Sequence, residues 1–328
     1  MGKPRRPDDY SLASRLRKAG ESLKADGNHG SLASKAGGER FEAAERVTLP
    51  TPLDLPDLRI VPVSSLHPHE QFDANRVVPL VTRLRADGVL KNPPIVLPLG
   101  QRTERYVVLD GANRTEAFRE MDLPHVLVQV AHAGDSSVRL ETWNHLLRRV
   151  AVDTLLQALL AFPELALVRS DVDRATFNLS AGASLAYLAM PGDHTLEIVG
   201  ETEPLRWRVA NLHRIVEAYT GRCELERISA VRAAGLQNLY PDFAALMVFP
   251  RFELEDVIRA ASQGVLLPAG LTRFLVSPRA LRVNYPLDRL ASGRSAEEKQ
   301  EELEHWLRTV VASRRVRYYG EATYLFDE

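Results

Sequence analysis

The 328-residue chain is 45% hydrophobic and carries a formal net charge of −1. Its length is sufficient for one large core or two ordinary ones, and its balanced charge argues against a strongly basic surface for duplex nucleic acid. The single cysteine, Cys223, excludes a disulfide framework and a cysteine zinc site. No apolar run approaches the roughly 20 residues that span a bilayer, and the N-terminus lacks the apolar region of a secretory signal. We therefore expect a cytoplasmic protein with no membrane segment.

Residues 1–56 are predicted to form a flexible polar extension and a linker. The stretch is rich in glycine, serine, alanine and basic residues, a composition that does not favour a packed core. Short helices are predicted within 10–25 and 39–47. The linker is marked by three prolines, Pro50, Pro52 and Pro56.

Residues 57–133 are predicted to form a small α/β unit. Asp73 has the position of an N-cap for a helix that Gly88 ends. The apolar stripe of this helix has the spacing i, i+3, i+4, i+7 and comprises Val77, Leu80, Val81 and Leu84. Short apolar runs predict strands at 59–63, 95–97, 105–109 and 125–131.

A strand is predicted to stop at Asp110-Gly111, and a helix to begin at Ala112. The first turn of a helix has backbone N–H groups without intrahelical partners, and the helix dipole places partial positive charge there. Gly111 allows a ligand to approach the backbone, Arg114 adds a charged donor and Thr115 adds a hydroxyl. These residues predict an anion cradle suited to nucleotide phosphates. An ordinary strand–turn–helix junction with a solvated arginine is the alternative.

Residues 134–328 are predicted to form an α+β domain. Helical stripes are expected around 152–160, 212–219 and 303–311, and strands at 184–190, 194–199, 244–249 and 273–276. A C-terminal hairpin is expected from strands at 315–319 and 323–326. A ligand site between this domain and the preceding α/β unit is the expected location.

The chain has an acidic residue in its first loop, Glu70, then Asp110-Gly-Ala-Asn-Arg114, and later Thr142-Trp-Asn-His145. The order of motifs from Ser65 to Ala131 resembles the ParB/sulfiredoxin superfamily, and within it the free L-serine kinases. The run 271–287 also resembles the substrate segment of those kinases. One departure is that Ala112-Asn113 replaces the usual His-His pair, which keeps the backbone cradle and removes side-chain donors.

The resemblance implies a ParB/sulfiredoxin-like core packed on a larger α+β domain, and a kinase that converts free L-serine to O-phospho-L-serine with ATP or ADP. Glu70 would be the general base on the serine hydroxyl. Asp110 would bind Mg²⁺, or cap the helix that follows it. The phosphate-binding residues would be Gly111, Ala112, Asn113, Arg114 and Thr115.

A free amino-acid substrate also requires groups that hold its carboxylate and its ammonium. Arg273 and Arg279 suit a carboxylate, and Asn284 suits either group. Trp143 would wall the pocket, and His145 would add a hydrogen bond. For each of these residues a structural role, in the core or on the solvated surface, is the alternative.

A ParB-like nucleotide-binding regulator or DNA-associated protein is the second interpretation. Partition proteins follow their nucleotide core with a helix-turn-helix, and the segment after Ala131 has neither a convincing turn between short helices nor a basic recognition helix. Sulfiredoxin chemistry needs a cysteine in the phosphate loop, where this chain has Ala112. The choice of ATP or ADP and the oligomeric state do not follow from the sequence.

Overall fold

The computed structural model describes residues 55–100, 104–132 and 138–319 of the chain. The chain divides into two units, Met1–Thr51 and Pro52–Glu328, and the described residues all belong to the second. The helices predicted within 10–25 and 39–47 and the strand predicted at 323–326 lie outside these residues. Within the described ranges, no helix is both long enough and apolar enough to cross a membrane.

The first sheet contains the strands Leu58–Pro62 (β1), Leu66–Pro68 (β2), Ile95–Pro98 (β4), Tyr106–Asp110 (β5) and His125–Val130 (β6). It is mixed, with the strand order β1-β6-β4-β5-β2. Two of its pairs, β2 with β5 and β4 with β6, are parallel. The strands predicted from apolar runs are confirmed, because each run is short and contains β-branched residues.

Helices α1 (Ala74–Asp87) and α2 (Ala112–Glu120) pack on this sheet. The side chain of Asp73 accepts a hydrogen bond from the backbone N–H of Asn75 at 3.0 Å, so the predicted N-cap is confirmed. Gly88 ends α1 in the left-handed region, and its N–H donates to the carbonyl of Leu84.

The C-terminal helices complete the core of the first sheet. Short strand β15 (Tyr285–Pro286) pairs with β3 (Val89–Leu90), and helices α8 (Leu287–Ala291) and α9 (Ala296–Ala312) follow. Leu303 of α9 is fully buried in the same cluster as the residues of β5 and α1. Part of the segment 134–328 therefore packs on the first sheet. The domain boundary predicted near residue 133 stays a prediction.

A second sheet contains the strands Asn144–Arg148 (β8), Ala166–Ser170 (β9), Ala186–Ala189 (β10), Thr195–Val199 (β11), Glu224–Ile228 (β12) and Phe243–Val248 (β13). All six are antiparallel to their neighbours, in the order β12-β8-β13-β10-β11-β9. The accompanying helices are Val152–Leu160 (α3), Val172–Ser180 (α4), Leu205–Tyr219 (α5), Leu236–Leu239 (α6) and Leu254–Ser262 (α7). The predicted mixed α and β fold class is confirmed.

A two-stranded ribbon, β7 (Val138–Thr142) with β14 (Thr272–Val276), completes the described structure. The sequence predicted β14 but not β7 or β8. The strand predicted at 315–319 is absent, since these residues form neither a helix nor a strand.

Strands β4 and β5 are apolar on both faces because each face enters a different core. One face carries Val96, Tyr106 and Val108 into the cluster with α1 and α9. The other carries Ile95, Leu97, Val107 and Leu109 into a cluster with the second sheet and α5. Both faces of the sheet are therefore covered. The part of the sheet that remains open is where the strands end.

Candidate active site

Two parallel strands, β2 and β5, end at the same edge of the first sheet. Their register pairs Leu66 with Tyr106 and Pro68 with Val108. Glu70 lies two residues beyond Pro68, and Asp110 two residues beyond Val108. Glu70 and Asp110, the two acidic residues predicted from the sequence, therefore lie at matching positions at the ends of neighbouring strands.

The predicted cradle has the expected backbone form. Gly111 is the N-cap of α2 with a φ of 108°, in the region that favours glycine. A Cβ at this position would lie 3.1 Å from the Arg114 guanidinium and 3.1 Å from the Pro94 side chain. The backbone N–H groups of the first turn have no partner in the helix, and the buried Oγ1 of Thr115 has no hydrogen-bond partner among the described residues.

The side chain of Arg114 packs against this loop and links it to neighbouring residues. Its Nη1 donates to the carbonyl of Asn92 at 2.6 Å, and its Nη2 lies 3.2 Å from the carboxylate of Asp110. Burial lowers the pKa of Arg114 to about 10, so the group is charged at neutral pH. The role of Arg114 as a hydrogen-bond donor to the nucleotide phosphates stays a prediction.

Asp110 pairs with two guanidinium groups, those of Arg114 and Arg279. Its side chain does not cap α2, where Gly111 is the N-cap and no side chain caps the N-terminus. Gln129 holds the loop of Arg279: its Nε2 donates to the carbonyl of Pro278 at 2.9 Å, and its Oε1 accepts from the N–H of Ala280 at 2.8 Å. This buried glutamine was not predicted from the sequence.

Glu70 is fixed to a segment from the far end of the chain. Its Oε2 accepts a hydrogen bond from the backbone N–H of Gly270 at 2.9 Å. The backbone around it is bridged to Leu267 through the carbonyl of His69 and the N–H of Gln71. The acidic loop and residues 267–272 therefore form one edge of the site.

The acidic loop is also joined to the phosphate loop. The side-chain oxygen of Asn113 accepts a hydrogen bond from the backbone N–H of Asp73 at 2.7 Å. The side-chain amide of Asn113 therefore holds the two loops together.

His69 lies buried behind Glu70. Its Nδ1 is 2.6 Å from the carbonyl of Val108, and its Nε2 is 2.7 Å from Oγ1 of Thr272. Burial lowers the pKa of His69, which keeps the ring neutral. Since a carbonyl only accepts, Nδ1 carries the proton, and the hydroxyl of Thr272 donates to Nε2.

The predicted substrate residues Trp143 and Arg273 form a stacked pair. The guanidinium of Arg273 lies 4.3 Å from the centre of the Trp143 ring and 3.2 Å from the carboxylate of Glu141. The backbone N–H of Trp143 donates to the carbonyl of Leu271 at 2.8 Å. Both residues are therefore next to the segment that holds Glu70.

His145 lies beneath Gly270 and is buried. Its Nδ1 is 2.7 Å from the hydroxyl of Tyr219, and its Nε2 is 3.3 Å from the carbonyl of Gly270. Burial lowers its pKa to about 4, so the ring is neutral at neutral pH. The structure places His145 as a support for Gly270, and its predicted contact with substrate stays a prediction.

Asn284 is exposed and has a φ of 55°, next to Tyr285, which pairs with Leu90. The structure thus places it at the turn into β15, beside the first sheet. Within the described ranges, no group of three histidine, cysteine or acidic side chains has the geometry of a metal site.

Arg227 lies against Gly270, a position that the sequence did not indicate. It lies on β12 opposite His145, and a Cβ at Gly270 would overlap its guanidinium. Gly270 has a φ of 79°, so both its backbone conformation and its neighbour favour glycine. Only the long-range pairing of β12 with β8 places Arg227 here, and no local motif could have revealed it.

Comparison with known proteins relates this arrangement to a group of enzymes. The chain is 26% identical over 276 residues to the ATP-dependent L-serine kinase SbnI of Staphylococcus aureus, a match that covers 83% of this chain and 97% of that protein. The predicted resemblance to L-serine kinases is confirmed. A shorter match, 32% identical over 84 residues, covers 26% of this chain and 33% of an ATP-dependent L-serine kinase of Staphylothermus marinus. No family model matches the chain.

Solved structures show the same fold. SbnI with a C-terminal truncation aligns with a TM-score of 0.61 and 23% identity, over 79% of this chain and 97% of that one. A free serine kinase in complex with AMP aligns with a TM-score of 0.61 and 15% identity, over 72% of this chain and 96% of that one. The structural similarity therefore extends through both sheets and is not restricted to the first.

Proposed function

We propose that this protein is a nucleotide-dependent kinase that phosphorylates the hydroxyl of free L-serine and forms O-phospho-L-serine. The observation that carries the proposal is the position of Glu70, which is at the same sheet edge as the Gly111 loop and is held there by Gly270. The similarity to ATP-dependent L-serine kinases over 83% of the chain supports this substrate and favours ATP as the donor.

In this proposal Glu70 is the general base. Within the described residues both of its side-chain contacts use Oε2, which leaves Oε1 for the serine hydroxyl. As the hydroxyl oxygen forms its bond to phosphorus, its proton passes to Glu70 and the bond to the departing nucleotide breaks. With ATP as donor the leaving group is ADP; with ADP it is AMP.

The Gly111 loop would hold the departing phosphates. The N–H groups of residues 112–114, which have no partner within the helix, and the dipole of α2 favour negative charge at this point. Arg279 adds a cation at the same edge through its contact with Asp110. Arg114 and Asn113 hold the loop in place from its two sides.

Mg²⁺ would be held by Asp110 together with the nucleotide phosphates. Among the described residues, both ion pairs of Asp110 use Oδ2, so Oδ1 remains as one oxygen ligand. A single carboxylate is compatible with Mg²⁺, which commonly takes its other ligands from phosphates and water. When bound, the ion neutralises charge on the phosphates.

The ParB-like alternative has less support from the residues after the first sheet. These residues form the strands β7 and β8, whereas a partition protein has a helix-turn-helix at this point.

Phosphorus NMR on the purified protein tests the proposal. The samples contain Mg²⁺ and free L-serine, with ATP in one tube and ADP in another. We expect a phosphoserine resonance with ATP. Silence in both tubes, with nucleotide still bound in calorimetry, would contradict the kinase and favour a nucleotide-binding regulator.

The variant Glu70→Gln tests the assigned base. The amide keeps the size of the side chain but cannot accept the proton, so we expect turnover to fall by about 100-fold or more while nucleotide affinity is unchanged. Glu120→Gln, at the exposed far end of α2, is the matched control and should be as active as the wild type. Full turnover by Glu70→Gln would remove Glu70 from this role.

A further inference from the structure

Gly270 joins three side chains from distant parts of the chain. Its N–H donates to Glu70, its carbonyl is 3.3 Å from Nε2 of His145, and its Cα is covered by the guanidinium of Arg227. The carboxylate of Glu70 and the guanidinium of Arg227 therefore both contact one glycine. They do not form an ion pair with each other, so their charged groups are separated.

Arg227 is exposed and makes no ion pair among the described residues. The acidic side chains of its own strand are used elsewhere: Glu224 pairs with Arg149 at 2.6 Å, and Glu226 pairs with Arg148 at 2.5 Å. Arg227 thus contacts the same glycine as Glu70, and its charge is available for a ligand.

The two arginines that were predicted to bind a substrate carboxylate already form ion pairs with acidic side chains. Arg279 contacts Asp110, and Arg273 contacts Glu141 while it stacks on Trp143. A substrate carboxylate would have to compete with these acidic partners. At Arg227 it would meet no such competitor in the described part of the chain.

We propose that Arg227 binds the α-carboxylate of the acceptor and restricts the site to free amino acids, an inference that rests on the proposed kinase function. In serine the carboxylate and the hydroxyl are on neighbouring carbons. A molecule that lies over Gly270 would direct its carboxylate to the planar guanidinium, which suits bidentate pairing. Its hydroxyl would then face Glu70.

The test compares Arg227→Gln with the wild type on L-serine and on L-serinamide, which has a neutral amide in place of the carboxylate. Loss of a charge-assisted pair should raise KM for L-serine about tenfold to a hundredfold, with a smaller effect on kcat. KM for L-serinamide should be the same in both proteins. Arg227→Lys should be intermediate, because a lysine keeps the charge but not the bidentate geometry.

The matched control is Arg169→Gln. Arg169 is exposed on β9, the opposite edge strand of the same sheet, and should leave both KM values unchanged. Equal losses for L-serine and L-serinamide would overturn the inference, because a structural role would affect both substrates. An unchanged KM for L-serine in Arg227→Gln would overturn it as well.

Calorimetric binding of L-serine in the presence of AMP, which has no phosphoanhydride bond and so cannot act as the donor, separates this inference from the proposed function. If the wild type binds L-serine but makes no phosphoserine, the kinase proposal fails; weaker binding by Arg227→Gln would then still support the carboxylate site. If the wild type neither binds nor phosphorylates L-serine, both proposals fail.

Discussion

The neutral ring of His69 determines how the side chains behind Glu70 share their protons. Because Nδ1 donates to the carbonyl of Val108, the only proton of the Thr272 hydroxyl is directed to Nε2. Thr272 lies 3.5 Å from Glu70 and has no second proton to donate to it. The backbone N–H of Gly270 is therefore the donor that holds the carboxylate.

Replacement of Thr272 by valine tests this hydrogen-bond arrangement. Valine keeps the shape of the side chain but leaves Nε2 of His69 buried without a donor, which should cost about 1–3 kcal/mol of unfolding free energy. Urea denaturation at pH 7.5 measures the loss. Thr272→Ser keeps the hydroxyl and is the control; equal stability of the two variants would show that the hydroxyl does not donate to His69.

At the scale of single elements, the sequence predicted the parts with local signals. Helix α1 has both a side-chain cap and an i, i+3, i+4, i+7 stripe, and the strand–glycine–helix run at Gly111 is contiguous in the chain. These signals lie within a few residues of one another, so one sequence is sufficient to read them.

Several of the strands that were missed depend on partners far along the chain. Strand β7 alternates charged and apolar residues and pairs with β14, about 130 residues later. Strands β9 and β12 are the edges of the second sheet, and each is hydrogen-bonded on one side only. Both strands are short, and three of the five residues of β12 are charged. The strand signal of β12 is therefore weak, and the position of Arg227 could not be predicted.

The loop between β5 and α2 allows a test at the scale of an element. In Gly111→Ala the new Cβ would crowd Arg114 and Pro94 at a φ of 108°, so the first turn of α2 should shift. We expect nucleotide affinity to fall by roughly tenfold, equivalent to about 1.4 kcal/mol. Calorimetric titration with ATP measures this change.

Gly182→Ala is the matched control for that variant. Gly182 also has a positive φ, 74°, but nothing lies within 4 Å of a Cβ at this position. It should show a cost in stability from the backbone alone, with nucleotide affinity unchanged. If Gly111→Ala also binds ATP normally, the phosphates do not contact this loop.

Across the whole molecule, the chain returns repeatedly to the first sheet. Residues 267–272 hold the acidic loop, the Arg279 loop contacts Asp110, and α9 completes the core beneath. The site is therefore assembled from residues about 200 positions apart. Its geometry should depend on the global stability of the Pro52–Glu328 unit, and any condition that weakens this unit should weaken the site.

Acid is such a condition, because buried neutral histidines oppose protonation. The folded pKa of His145 is about 4, below its ordinary value of 6.5, so between these values the unfolded chain binds the extra proton. Stability from this residue is complete above pH 6.5 and is lost as the pH falls towards 4. The loss from His145 should reach about 2 kcal/mol at pH 5, and the lowered pKa of His69 acts in the same direction.

Urea denaturation of the wild type and of His145→Gln, at pH 7.5 and at pH 5, measures this contribution. The variant lacks the titrating ring, so its unfolding free energy should decrease by about 2 kcal/mol less than that of the wild type between the two pH values. His305→Gln, an exposed position on α9, should follow the wild type. Equal pH dependence in wild type and His145→Gln would mean that His145 is not buried in its neutral form, and the support it gives to Gly270 would then have to be revised.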